Sequence, residues 1–202
     1  MMGLRSLALF ISIGLGVGLA GMPLQASLGM GEGFALGQMS QATPKPVTAN
    51  DFFYSGVKKG EQEDWQGAIA DFSDALRLNP NLIEAYNNRG TAYSIIGENE
   101  KAIADYNDAI RLKPNDPEAY YNRGVTYREI KDYPKAIADF SQSIRLSPKD
   151  AVSYFNRGVI FQQLGDNPKA IADFKQAAEL FEKQGKKEEA QDIRAIIQQL
   201  KY

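Results

Sequence analysis

The chain contains no cysteine and no histidine among its 202 residues. The first absence excludes disulfides, thiol nucleophiles and cysteine-ligated metals. The second removes the imidazole ligand and the commonest general base. Neither locates the protein, since a cysteine-free chain is compatible with any redox compartment. Charge of one sign is also missing: 23 Lys and Arg face 25 Asp and Glu, a net charge of −2 and a pI of about 5.3. No general attraction to nucleic acid follows from that balance, and no nucleic-acid partner is expected. No serine has a histidine to pair with, and no glycine-rich turn follows a strand to cradle phosphate. No catalytic role, cofactor or metal is therefore expected. Hydrophobic residues make up 44% of the chain, enough for a buried core.

What is present is a register. Proline recurs every 34 residues at Pro80, Pro114 and Pro148. Glycine recurs at Gly56, Gly90, Gly124 and Gly158, alanine at Ala68, Ala102, Ala136 and Ala170, and an aromatic at Phe72, Tyr106, Phe140 and Phe174. A fixed period of this length is the signature of stacked repeats. Each period holds two apolar-periodic stretches joined by a short polar turn. First helices are predicted near 50–62, 83–96, 117–130 and 151–164, and second helices near 65–78, 99–112, 133–146 and 167–184. Gly97, Asp132 and Gly165 fall in the turns within repeats. Asn79-Pro80, Lys113-Pro114 and Ser147-Pro148 end second helices, because proline lacks the amide hydrogen and disfavours helix in the residue before it. Pro134 and Pro168 fall at helix starts, where the ring is tolerated. A glycine inside a helix costs about 1 kcal/mol relative to alanine. Four equivalent ones imply a close approach of helix backbones, with Phe72, Tyr106, Phe140 and Phe174 filling the space between neighbouring pairs. Ala190, Ile193, Ile197 and Leu200 step by three and four, so residues 186–201 are predicted to form a ninth, capping helix that shields the last apolar face.

These residues carry a resemblance to the tetratricopeptide repeat family. Tyr86, Gly90, Tyr93, Ala102, Tyr106, Ala109 and Pro114 fit the family pattern in the second repeat. Tyr120, Gly124, Tyr127, Ala136, Phe140, Ser143 and Pro148 fit it in the third, and Tyr154, Gly158, Phe161, Ala170, Phe174 and Ala177 in the fourth. The first repeat fits through Phe52, Gly56, Ala68, Phe72, Ala75 and Pro80. It departs at Ser55 and Lys59. The family leucine is replaced by Arg89, Arg123 and Arg157 in the later repeats. The resemblance implies an all-α fold, an α-solenoid of helix-turn-helix repeats over about 50–82, 83–116, 117–150 and 151–184, with the capping helix 186–201 completing a domain over 50–201.

Residues 1–26 read as a secretory signal peptide: Arg5, then an uncharged apolar stretch, then small residues at Gly18, Ala20 and Ala26. The alternative is a retained membrane anchor, since the apolar stretch lies near the length needed to span a bilayer. Either way the repeats are expected to be exported, in a periplasm or equivalent lumen, with Arg5 left inside. Membrane attachment follows only if the segment is retained. Residues 27–49, with Gly29, Gly31, Gly33, Gly37, Pro44 and Pro46, read as a flexible linker.

The family resemblance also implies a site. Phe53, Asn87, Tyr121 and Phe155 would face the groove lined by the first helices. Asn88, Asn122 and Asn156 would follow, in family members an Asn ladder that hydrogen-bonds a peptide backbone; an amide both donates and accepts. Val57, Thr91, Val125 and Val159 lie one turn on, then Ser94, Arg128 and Gln162. The same residues also serve the repeat fold, so the groove role is an expectation. Some members use a basic clamp for chaperone carboxylates. Its positions here hold Phe53, Asn87, Tyr121 and Glu118, so that partner is not implied. Arg89, Arg123 and Arg157 either stack on aromatics and pair with the ladder of Asp71, Asp105, Asp139 and Asp173, or meet an acidic partner. Lys101, Lys135 and Lys169 stand four residues before three of those aspartates, spaced for surface pairing along a helix. The expected function is a non-catalytic adaptor that binds a protein or peptide segment in its concave groove. The alternative is a membrane-attached assembly factor, because the Asn-Arg-Gly and Ala-Ile-Ala-Asp-Phe runs look similar to repeats of photosynthetic bacteria, where some relatives assist photosystem assembly.

Overall fold

Residues 47–201, which the computed structural model describes, form nine helices and no strand. The expected leader over 1–26 and the linker up to Pro46 lie outside the described residues. The helices are α1 (Ala49–Glu61), α2 (Trp65–Leu78), α3 (Ile83–Ile95), α4 (Asn99–Leu112), α5 (Pro117–Glu129), α6 (Tyr133–Leu146), α7 (Ala151–Gln163), α8 (Asn167–Lys183) and α9 (Lys187–Gln199). None of them is long and apolar enough to cross a membrane.

Local chemistry sets the helix ends. Thr48 and Asp51 form a reciprocal capping box at the start of α1. Asp64, Asp116, Asp132, Asp150 and Asp166 accept backbone hydrogen bonds at the starts of α2, α5, α6, α7 and α8. Such caps satisfy amides that the helix cannot, each worth about 1 kcal/mol. The turn inside each repeat needs one left-handed residue. Gly97 and Gly165 supply it with φ of 82° and 76°, but Glu63 and Lys131 take the same place with φ of 61° and 62°. In the third repeat it is therefore Lys131 that turns the chain, and Asp132 caps the helix beyond it.

The repeating core is built inside each hairpin. Ala68, Ala102, Ala136 and Ala170 are completely buried. A Cβ added to Gly56, Gly90, Gly124 or Gly158 would meet the ring of Phe72, Tyr106, Phe140 or Phe174 at 2.7, 2.8, 3.1 or 2.9 Å. The glycines thus make room for a ring edge, not for a neighbouring backbone. Those four rings belong first to their own hairpin, which corrects their expected place between hairpins. Stacking then joins the hairpins: Phe140, for example, packs with Ala136 of its own repeat and Ile160 of the next.

Successive first helices touch one another, α1 with α3, α3 with α5 and α5 with α7, whereas successive second helices do not. Closer first helices make theirs the inner wall of the curve, the geometry expected of a solenoid. At the end of the stack, Ala190, Ile193 and Ile197 of α9 are buried against α8. The outer side of α9 carries Glu188, Gln191, Asp192 and Gln198, all exposed.

Candidate functional site

The inner wall is a row of side chains from α1, α3, α5 and α7. Phe53 packs on Phe72, Tyr121 on Phe140 and Phe155 on Phe174, with ring centroids 5.8, 5.8 and 5.6 Å apart. Each groove aromatic therefore rests on the ring that fills its own hairpin. Phe53 and Tyr121 are half-buried, and Phe155 is buried. Asn87 interrupts the row: it is buried, and its Oδ1 has no hydrogen-bond partner among the described residues. Tyr54, which the 34-residue register places with the asparagines, is 68% exposed and meets Phe53 edge to face. Sequence reasoning passed over it, although the same register pointed there.

The expected asparagine ladder has three different fates. Asn88 Nδ2 donates 2.7 Å to Glu84 O of its own helix. The Asn122 side chain is half-buried and makes no hydrogen bond within the described residues. Asn156 is buried and fully engaged. Its Nδ2 donates to Val152 O at 2.9 Å and to Tyr121 Oη at 3.3 Å, while its Oδ1 accepts from Arg128 Nη1. Arg128 and Tyr121, both on α5, thus hold a residue of α7. Burial pushes the Tyr121 phenol up to about 12, against the opposing pull of the Arg128 charge and the Asn156 hydrogen bond. Ser94 and the fully buried Thr126 join α3 to α5 through a hydroxyl pair at 3.3 Å. Gln162 is exposed at the far end of the row.

Behind this wall runs a ladder of ion pairs. Arg89 donates through Nε and Nη2 to both oxygens of Asp105, at 2.8 and 2.7 Å, and through Nη1 to Ser73 Oγ at 3.0 Å. Arg123 repeats this with Asp139 and Asn107, and Arg157 with Asp173 and Ser141. One guanidinium thereby ties a first helix to its own second helix and to the second helix of the preceding repeat. Each Arg also lies between two rings, as Arg89 does between Tyr86 and Tyr93 at 5.8 and 5.9 Å. Burial alone would weaken the charge of Arg89; the Asp105 carboxylate more than offsets it. Lys101, Lys135 and Lys169 do not pair with these aspartates. They pair with Glu98, Asp132 and Asp166, three residues earlier, at 3.1, 2.6 and 2.6 Å. The ladder aspartates are buried beside arginine, which leaves the surface lysines to the carboxylates at the helix starts. No group of His, Cys, Asp or Glu suited to a metal occurs among the described residues.

The hairpins from α3 to α8 coincide with sequence matches to two descriptions. Residues 61–97 and 92–131 match "TPR repeat", and 117–150 and 151–184 match "Tetratricopeptide repeat", together more than half the chain. The chain belongs to the tetratricopeptide repeat family. Among curated proteins, Tetratricopeptide repeat protein 36 of Xenopus tropicalis is 44% identical over 50 residues, which span 25% of each chain. The match thus covers only a quarter of that relative's length. Among solved structures, residues 41 to the end of MamA from Desulfovibrio magneticus RS-1 superpose with a TM-score of 0.63 at 23% identity, covering 67% of this chain and 77% of that one. The first TPR of Spaghetti (RPAP3), bound to the HSP90 peptide SRMEEVD, gives 0.57 at 23% identity, covering 58% and 94%. At such identity the likeness is one of fold.

Proposed function

We propose that the protein is a non-catalytic interaction module whose inner wall receives an extended protein or peptide segment. The observation that carries the reading is the set of Tyr54, Phe53, Asn122, Tyr121, Arg128 and Gln162 on α1, α5 and α7, aromatic and polar side chains displayed along one concave side. Aromatics supply contact area at small entropic cost, and amides with unfilled hydrogen-bonding capacity suit a peptide backbone. A solved protein of the same fold holds a peptide, so the architecture accommodates that kind of ligand. The module works outside the cytoplasm, after export directed by residues 1–26, and Asn87, Asn88, Phe155 and Asn156 contribute to the wall of the groove.

Affinity capture from the exported fraction with the full chain as bait, read by mass spectrometry, tests the proposal. Changing Asn88 and Asn122 together to alanine is expected to lose the captured protein while leaving thermal unfolding in place. Unchanged capture contradicts it. The N-terminus of the mature protein separates a soluble module from a membrane-held assembly factor: a start near Ser27 is expected, and an intact Met1 in the membrane fraction contradicts export as a cleaved protein.

A further inference from the structure

We propose that the groove contains a carboxylate subsite, formed by Arg128 with Asn156 and Tyr121 where α5 meets α7, and that it takes an acidic side chain from within the bound segment. This rests on the groove reading above and adds the chemistry of one residue of the occupant.

The observation is a charge without a counter-charge. Arg77, Arg89, Arg111, Arg123, Arg157 and Arg194 each lie within ion-pair distance of an aspartate or glutamate, and Arg145, exposed on α6, hydrogen-bonds the neutral Gln142. Arg128 pairs with no carboxylate among the described residues; its hydrogen bond goes to the neutral amide of Asn156. The acidic groups nearby are committed elsewhere. Asp150 accepts from Val152 N, Ser153 N and Ser153 Oγ at the start of α7. Glu129 accepts from Ser94 Oγ at 3.4 Å.

The site is also built. Asn156 is 2% exposed and is anchored on its far side by Val152 O and Tyr121 Oη, so the amide that receives Arg128 cannot swing away. A guanidinium carries five N–H donors and gives one to Asn156. The remainder present a fork of the shape a carboxylate takes, and charge-assisted bonds of that kind are roughly twice as strong as neutral ones. Because Asn156 already holds the guanidinium, little ordering remains to be done on binding. An amide is a weak counter-partner for a half-buried cation, and an incoming carboxylate supplies what the fold omits.

The position argues for a side chain over a chain end. Groove residues continue on both sides of Arg128, toward Phe53 and Tyr54 on α1 and toward Phe155 and Gln162 on α7. A segment lying along that row passes the subsite and runs on. Arg128 itself is not one of the family's basic-clamp positions, which hold Phe53, Asn87, Tyr121 and Glu118 here.

Short random peptides displayed on phage and selected on the full chain provide the probe. Selected peptides are remade with each Asp or Glu changed to Asn or Gln, and separately with an amidated C-terminus, and their affinities are read by fluorescence anisotropy. The acid-to-amide change is expected to weaken binding about tenfold on the native chain and to have little effect on Arg128→Gln. Arg128→Lys, which keeps the charge, is expected to retain most of the distinction. If peptides bind, and Asn122→Trp blocks them, but acid and amide forms bind alike on the native chain, the subsite is overturned and the groove reading survives. Binding indifferent to Asn122→Trp overturns both. A loss of binding on C-terminal amidation alone, with internal acids dispensable, overturns the assignment to a side chain.

Discussion

Lys59 Nζ lies 2.7 Å from Asp71 Oδ2, the place that arginine takes in the later repeats. Ser55 stands where those repeats have Arg89, Arg123 and Arg157, and its hydroxyl donates 2.6 Å to the same carboxylate. Lys59 stands where they have Tyr93, Tyr127 and Phe161. The two departures of the first repeat are thus one compensated change: the cation has moved one turn along α1, and a small donor fills the gap. Lys59→Tyr alone is expected to cost about 1–3 kcal/mol by leaving Asp71 without its cation. Adding Ser55→Arg is expected to restore most of that. Urea denaturation of the single and double variants checks it; a double variant no more stable than the single one contradicts the compensation.

Asp71 also predicts a pH dependence. Burial pushes its carboxyl up, but the hydrogen bonds from Lys59 and Ser55 outweigh this and leave it below the usual carboxylate range. The unfolded chain therefore takes up this proton more readily than the folded one. The stabilisation is complete above the unfolded value of about 4 and is lost as the pH falls through the lower folded value. Asp71→Asn is expected to lower the urea midpoint at neutral pH and to flatten its decline below about pH 4. An unchanged acid-side slope contradicts the assignment.

Arg123→Ala should remove a staple shared by three helices. Its carboxylate partner Asp139 is 5% exposed and would be left without its counter-charge. A loss of about 3 kcal/mol is expected. Arg123→Lys should recover little of it, because an ammonium cannot bridge both oxygens of Asp139 and Asn107 at once. Thermal unfolding measures both variants. A change within about 0.5 kcal/mol for Arg123→Ala would mean that the ladder carries no stability.

Two glycine exchanges should move stability in opposite directions. Gly90→Ala gains helix propensity but drives a methyl group to 2.8 Å from the Tyr106 ring, and a net loss of about 1–3 kcal/mol is expected. Lys131→Gly relieves a left-handed residue at φ 62°, and a gain of up to about 1 kcal/mol is expected after the added freedom of the unfolded chain is counted. Melting temperatures decide both; a stabilised Gly90→Ala would contradict the ring-filled core.

The helices were legible because the 34-residue register repeats every local signal. Proline ends, glycine positions and apolar spacing agree at each cycle, and α1 begins at Ala49, one residue before the expected Asn50. Periodicity said which residues are equivalent, not which partner each one chooses. The lysines at 101, 135 and 169 were spaced for the ladder aspartates, yet burial reserved those carboxylates for arginine. The same limit applied in the groove. Asn88, Asn122 and Asn156 are one residue type in one register, but only Asn156 has Arg128 and Tyr121 within reach across a helix boundary.

Site-specific photo-crosslinking in the living cell tests the account most directly. A photoreactive residue at Gln162, on the inner wall, is expected to capture a discrete protein adduct, and one at the exposed Ala104 of α4 on the outer helices is expected to capture none. Adducts at Ala104 with none at Gln162 would contradict a groove formed by the first helices as the place where the partner sits.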